Sequence, residues 1–192
     1  MGGLTSTAVM TKMHRPVPFW PVVYNHTFRL KYIKNAKCAC RAIILAMTEH
    51  NGISTQNHGD YFTFSFVRHP LSRLVSSYKD KILTGKLQGP NVSTEMTIDD
   101  CVSCLLSGDI RDEHFCPQSE ILRLDELDFC GTLENIEEDW RVLMDKGLPP
   151  LGIWGHHKSG SAPWQEVLSK ETEARAREYY AADFELWPGR WS

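Results

Sequence analysis

No apolar run in the 192-residue chain approaches the ~20 residues of a membrane span. Between Met1 and Trp20 the sequence is broken by Lys12, His14, Arg15 and prolines, so the apolar stretch of a secretory signal is missing too. The chain as it stands reads as soluble and cytoplasmic; a longer precursor carrying a membrane anchor fits the same residues. Positive charge is not in excess. Lys and Arg total 21 against 24 Asp and Glu, a net charge of −3, which argues against a nucleic-acid partner but leaves room for a local basic pocket. Internal repeats and low-complexity linkers are absent. Cysteines number six. Cys38 with Cys40 and Cys101 with Cys104 have enough thiols for one zinc, yet the second pair sits in a helical pattern with apolar neighbours. Free thiols in a reducing compartment, and no metal, are the expectation. What is present is ordinary for a globular protein: 42% hydrophobic and 23% charged residues. A chain of this length buries roughly 70% of its unfolded surface, enough for a core without disulfides.

Residues 1–27, with Pro16, Pro18, Phe19, Trp20 and Pro21, read as an extended arm, and residues 28–192 as one domain. Phe28 to Ile33 alternates like a strand, and so does Tyr61-Phe-Thr-Phe-Ser-Phe-Val67. Cys38 to His50 carries apolar residues at helical spacing and stops at Asn51-Gly52. Pro70 opens a helix whose stripe runs Leu71, Leu74, Val75, Tyr78, Ile82, Leu83 and ends at Gly85. Thr97 to Asp100 reads as a capped helix start, and Arg111 to Gln118 as irregular. Short strands are expected within Ile121–Leu133, a helix over Ile136–Lys146 closed by Gly147, a loop from Leu148 to Pro163, and a helix over Lys170–Ala181 capped by Ser169. Alternating strands and helices predict one α/β domain around a mainly parallel sheet.

Two strand–turn–helix units carry the chemistry. A short turn entering a helix leaves backbone N–H groups unpaired and aimed at one spot. Lys37 and Arg41 stand at such a turn, which suits an anion, above all a phosphate; solvated helix-start residues are the plainer alternative. The Walker pattern G-x-x-x-x-G-K-[ST] is missing, which disfavours a nucleotide triphosphatase or small-molecule kinase. In the second unit Arg68 sits at the carboxyl end of its strand, where open α/β sheets bind ligands, and offers a planar donor fork. Ser76 follows in the next helix. Arg73 reads as an exposed ion-pair residue, Tyr78 as core and His69 as orienting the turn.

Phe66-Val-Arg-His-Pro-Leu-Ser-Arg-Leu-Val-Ser-Ser-Tyr-Lys-Asp-Lys81 closely resembles the 3′-phosphate motif of sulfotransferases that use 3′-phosphoadenosine 5′-phosphosulfate, especially the carbohydrate branch and its small bacterial relatives. Tyr32 to Ile43 resembles the matching 5′-phosphosulfate loop, with Ala36 where proline is usual and Arg41 and Ala42 where hydroxyl residues are usual. Weaker echoes lie at Glu113–Gln118, Phe129–Trp140 and Tyr179–Leu186. The resemblance covers about residues 28–187 and implies a three-layer sulfotransferase fold similar to that of P-loop nucleotidases. It implies that Arg68 and Ser76 bind the 3′-phosphate and that Lys37, Cys38, Ala39, Cys40, Arg41 and Ala42 hold the 5′-phosphosulfate. Lys37 falls on the catalytic lysine, with Lys34 as the fallback, and Lys158, Ser159 and Gly160 are candidates to cap the donor.

Sulfuryl transfer needs positioning, charge stabilisation at the bridging oxygen, and a base for the acceptor hydroxyl. His114 is the first candidate base, with Glu113 and Asp112 as rivals. The implied reaction moves the sulfuryl group to a carbohydrate, glycolipid or other small alcohol, because a chain this short has little room for a polysaccharide groove. The product is 3′,5′-adenosine bisphosphate. A catalytically silent nucleotide-binding module of the same fold stays open, as does a homodimer.

Overall fold

A computed structural model describes residues 22–48, 59–152 and 162–187. Four strands form one sheet in chain order: β1 (Val22–Asn25), β2 (Leu30–Ile33), β3 (Phe62–Val67) and β4 (Phe129–Thr132). The β1–β2 pair is antiparallel, while β2–β3 and β3–β4 are parallel, with Tyr32 opposite Phe64 and Val67 opposite Thr132. Four residues expected in the amino-terminal arm thus belong to the sheet. A tight turn makes this so: Asn25 Oδ1 accepts from the Phe28 N–H at 2.9 Å, and Arg29 takes a left-handed φ of 53°. Phe28 and Arg29 are spent on that turn, so the strand expected from 28 begins at Leu30.

The period of two in β3 sends Phe64 and Phe66 to one face, where they pack with Leu30, Tyr32, Ile43, Met47, Trp140 and Leu143. Val67 faces the other way, with Ile33, Ile121, Leu122 and Trp187. Helix α1 (Cys40–Thr48) and the short helices α5 (Ile136–Asp139) and α6 (Arg141–Met144) cover the first face. On the second lie α4 (Gln118–Ile121) and the end of α9 (Ala181–Leu186). A separate apolar core joins α2 (Pro70–Ser77), α3 (Ile98–Ser107) and α8 (Lys170–Tyr179), while α7 (Trp164–Val167) packs at its edge. The expected α/β class with a mainly parallel sheet between helical layers is what the chain adopts.

Several helices differ from their expected spans for local reasons. Lys37 and Ala39 have φ of 68° and 58°, so α1 cannot start at Cys38. Pro70 begins α2 as expected, with His69 Nδ1 accepting from the Leu71 N–H. The helix then widens into a π-helical turn over Tyr78–Ile82, closed by Leu83 N–H to Tyr78 O. The extra residue rotates Leu83 into solvent, although the stripe placed it inside. The helix expected over 136–146 breaks at Trp140: Asp139 turns back to accept from Thr132, and the Trp140 indole donates to Pro149 O. Tyr180 likewise interrupts the last helix, which separates α8 from α9. The capping box at Thr97 and Asp100 and the cap at Ser169 form as expected.

Candidate active site

Because β2 and β3 are parallel neighbours, their carboxyl ends deliver two loops to one edge of the sheet. The first loop runs from Lys34 to Ala39. Asn35 is fully buried and donates to Phe66 O at 3.0 Å and to Gln118 Oε1 at 2.9 Å. Left-handed backbone at Lys37 and Ala39 is disfavoured for residues with a Cβ, by about 1–2 kcal/mol each, and such conformations persist where surrounding contacts over-determine them. Here the contacts include Arg73 Nε to Ala36 O at 2.9 Å and Cys40 Sγ to Asn35 O at 2.7 Å. The Lys37 ammonium meets Asp80 Oδ2 at 2.9 Å, and Lys86 holds the other oxygen at 2.6 Å. Burial works against the Asp80 charge, but hydrogen bonds from Lys86 and Lys37 outweigh it and hold the carboxyl well below the usual range.

Arg68 stands one residue beyond β3. Its N–H donates to Gln118 Oε1 at 2.9 Å and its carbonyl accepts from Gln118 Nε2 at 2.8 Å. Its half-buried guanidinium has no hydrogen bond or ion pair among the described residues. Burial lowers its pKa and outweighs the opposing pull of the nearby Glu134 carboxylate. Ser76 is buried on α2. Arg73 is not the exposed residue expected. It is fully buried, and its three nitrogens donate to Ala36 O, Cys116 O at 2.7 Å and Glu113 O at 3.1 Å. It projects from a different side of α2 than the apolar stripe, and three carbonyls satisfy its buried fork.

Two of those carbonyls, Glu113 O and Cys116 O, belong to the third part of the site, the irregular segment before α4. Ser77 Oγ donates to His114 O at 2.6 Å, which fixes the same segment to α2. Asp112 Oδ1 accepts from the His114 N–H at 2.9 Å and lies 2.7 Å from His114 Nδ1. Glu113 Oε1 is 3.7 Å from His114 Nε2 and 3.8 Å from Lys34 Nζ. Burial raises the Asp112 pKa, but hydrogen bonds from His114 prevail and the net shift is downward. A carboxylate on Nδ1 leaves Nε2 as the nitrogen that can accept a proton.

Other expected residues fall into place less directly. Arg41 is exposed on the first turn of α1. Cys38 and Ala42 are buried with their side chains inward, so they offer a ligand only backbone; burial pushes the Cys38 thiol pKa up. Ala39 and Cys40 are half-buried. Lys158, Ser159 and Gly160 lie outside the described residues. Cys101 and Cys104 are on α3, in a different core from Cys38, and all six cysteines are free thiols. A cavity of about 510 Å³ lined by Arg29, Asp60, Phe62 and Lys146 lies at the opposite end of the strands. Sequence reasoning missed Asn35, Asp80 and Gln118 as parts of the site. Asp80 carries no period of its own, and Gln118 reads as one more polar residue of an irregular loop.

The sequence model of the sulfotransferase family matches residues 22–188. The chain belongs to the sulfotransferase family. No curated protein and no solved structure matches it. Membership makes this sulfotransferase-family chain a transferase, and sulfuryl transfer the reaction it points to. Among the described residues no helix is long and apolar enough to cross a membrane.

Proposed function

We propose that the protein transfers a sulfuryl group from 3′-phosphoadenosine 5′-phosphosulfate to a hydroxyl of a carbohydrate, glycolipid headgroup or other small alcohol. One observation carries this reading: the half-buried Arg68 guanidinium, with no hydrogen bond or ion pair among the described residues, lies at the end of the strand next to the Lys37 loop. The residues present fit such a donor. Arg68 and Ser76 would take the 3′-phosphate, a dianion for which a rigid fork is suited. The Lys37 side chain and the backbone amides from Cys38 to Ala42 would take the 5′-phosphosulfate, with exposed Arg41 adding charge in place of the missing hydroxyls.

In the transfer, the acceptor oxygen forms a bond to sulfur as the bond from sulfur to the bridging oxygen breaks. The acceptor proton passes to His114 Nε2, and the electron pair of the broken bond stays on the phosphate. Lys37 stabilises that charge as it develops, so its effect is larger in the transition state than in the ground state. Asp112 holds the imidazole in the useful tautomer. Lys158, Ser159 and Gly160, outside the described residues, would cap the donor.

Thermal-shift titration tests the reading. Stabilisation by 3′,5′-adenosine bisphosphate and not by ATP with magnesium is expected; stabilisation by ATP-magnesium alone overturns it in favour of a kinase. Labelled sulfate transfer to a panel of hydroxylated acceptors then separates an enzyme from a silent module. Transfer to small alcohols or glycosides is expected, and binding without transfer to any acceptor assigns the chain to the module.

A further inference from the structure

We propose that Gln118 is a positioning residue of the donor site, one whose side-chain amide aims Arg68 and couples the two anion-binding loops. The inference rests on the reading of Arg68 as the 3′-phosphate ligand. Arg68 lies just past the last β3–β4 pair, Val67 with Thr132, so its peptide has no strand partner. Gln118 supplies one. Its Oε1 accepts from the Arg68 N–H at 2.9 Å and its Nε2 donates to the Arg68 carbonyl at 2.8 Å. Two antiparallel hydrogen bonds to one residue fix the plane of its backbone, and with it the direction in which Cβ and the guanidinium leave the chain. A side-chain amide is the group that can do this, since it carries an acceptor and a donor on one rigid plane.

The same oxygen reaches the other loop. Gln118 Oε1 accepts from Asn35 Nδ2 at 2.9 Å and from the Cys38 thiol at 3.5 Å, and Asn35 also donates to Phe66 O in β3. Lys37 lies between Asn35 and Cys38, so the backbone that carries the candidate catalytic lysine and the backbone that carries Arg68 are pinned to one atom. Gln118 is fully buried. It is held from behind by Asp183, also fully buried, which accepts from the Gln118 N–H at 3.0 Å, from the Ser119 N–H at 2.8 Å and from Gln118 Nε2 at 3.5 Å. Helix α9 therefore bears on the geometry of the site through Asp183.

A double-mutant cycle on the full chain separates positioning from mere support of the fold. Affinity for 3′,5′-adenosine bisphosphate is measured by calorimetry in wild type, Arg68→Ala, Gln118→Met and the double variant. In the wild-type background Arg68→Ala should cost about tenfold to a hundredfold. In the Gln118→Met background the same truncation should cost less than about threefold, because a misaimed guanidinium has little left to lose. Equal cost in both backgrounds overturns the inference and leaves the donor-site reading standing. No cost of Arg68→Ala in wild type overturns both. Should Gln118→Met fail to fold, Asp183→Asn keeps an oxygen for the Ser119 N–H while loosening the hold on Gln118. In that background the cost of Arg68→Ala should fall at least twofold below its wild-type value, and an unchanged cost overturns the proposal.

Discussion

The Lys37 ammonium lies 2.9 Å from one oxygen of Asp80, whose other oxygen is held at 2.6 Å by Lys86. Lys37 is therefore already neutralised before any phosphate arrives, and a donor must share it with a carboxylate or take it away. The π-helical turn at Tyr78–Ile82 presents that carboxylate, and Thr84 Oγ1 donating to Asp80 O steadies it. Asp80→Asn removes the competing charge. Bisphosphate affinity should rise roughly twofold to fivefold, the scale of a partly exposed ion pair. The gain should vanish in a Lys37→Ala background; calorimetry on the four variants decides, and a gain that persists there assigns it to the general field instead.

Arg68 and Lys37 have different jobs in this reading, and their variants should differ in kind. Arg68→Ala weakens donor and product alike, by about tenfold to a hundredfold, because the 3′-phosphate is present in both. Lys37→Ala costs more in turnover than in binding, since its charge matters most when the bridging oxygen becomes anionic. Single-turnover rates beside calorimetric titrations measure both. A wild-type rate in Lys37→Ala transfers the catalytic role to Lys34.

The two parallel strands that build the site were legible because β3 alternates aromatic and small residues, and Arg68 was legible because it follows such a strand and precedes Pro70. The start of α1 was less so. No pattern of apolar residues announces the left-handed backbone at Lys37 and Ala39, which accompanies contacts made outside the loop, by Arg73 to Ala36 O and by Asn35 to Phe66 and Gln118. Arg73 itself shows the same limit. Its position falls off the apolar stripe of α2, so a guanidinium there reads as surface until three carbonyls from distant segments are known to receive it. Edge strand β1 hid among prolines and aromatics, being four residues long and paired only through a tight turn. What depends on local period could be read; what depends on long-range hydrogen bonds could not.

Replacing Arg73 by Met leaves the carbonyls of Ala36, Glu113 and Cys116 without their donor inside the protein. A loss of about 3 kcal/mol or more is expected, since charge-assisted bonds are worth about 1.5–3 kcal/mol each and do not add fully. For a chain of this size that is a drop of about 6–12 °C in Tm. Arg73→Lys should recover little, because one ammonium cannot reach three carbonyls in a fork. Calorimetric or optical melting reads the result, and a Tm within about 2 °C of wild type for Arg73→Met contradicts the clamp.

Stability should fall with acid through His69. Burial first, then the nearby Arg177 charge, lowers its pKa from 6.5 to about 4. The ring stacks on Trp164 and accepts the Leu71 N–H, so the folded state favours the neutral imidazole. Between pH 6.5 and about 4 the unfolded chain binds a proton that the folded chain does not. Stability therefore rises with pH across that window and declines as pH falls through it, by at most about 1.4 kcal/mol per pH unit for one group. His69→Asn keeps a helix-capping oxygen without the titration. Its urea-unfolding free energy should depend less steeply on pH between 4 and 6.5 than that of wild type; equal slopes would remove His69 from the account.

The pairing of His114 with Asp112 gives the most direct test of the proton path. Asp112 Oδ1 occupies Nδ1 at 2.7 Å, and the nearest carboxylate to Nε2 among the described residues is Glu113 at 3.7 Å, beyond hydrogen-bond range. His114→Gln should lower single-turnover transfer by about 10²–10⁴-fold, the usual contribution of a positioned general base. Bisphosphate affinity should stay unchanged, because the imidazole meets the acceptor and not the nucleotide. Asp112→Ala removes the group that fixes the tautomer, so it should cause a smaller loss of rate with the base still present. The double variant should be no slower than His114→Gln alone, because Asp112 has nothing left to orient once the imidazole is gone. If the two losses multiply instead, Asp112 acts on the reaction by another route. If His114→Gln keeps its rate, the proton goes elsewhere, and Glu113, next to His114 and bridged to Lys34 of the first loop at 3.8 Å, becomes the base.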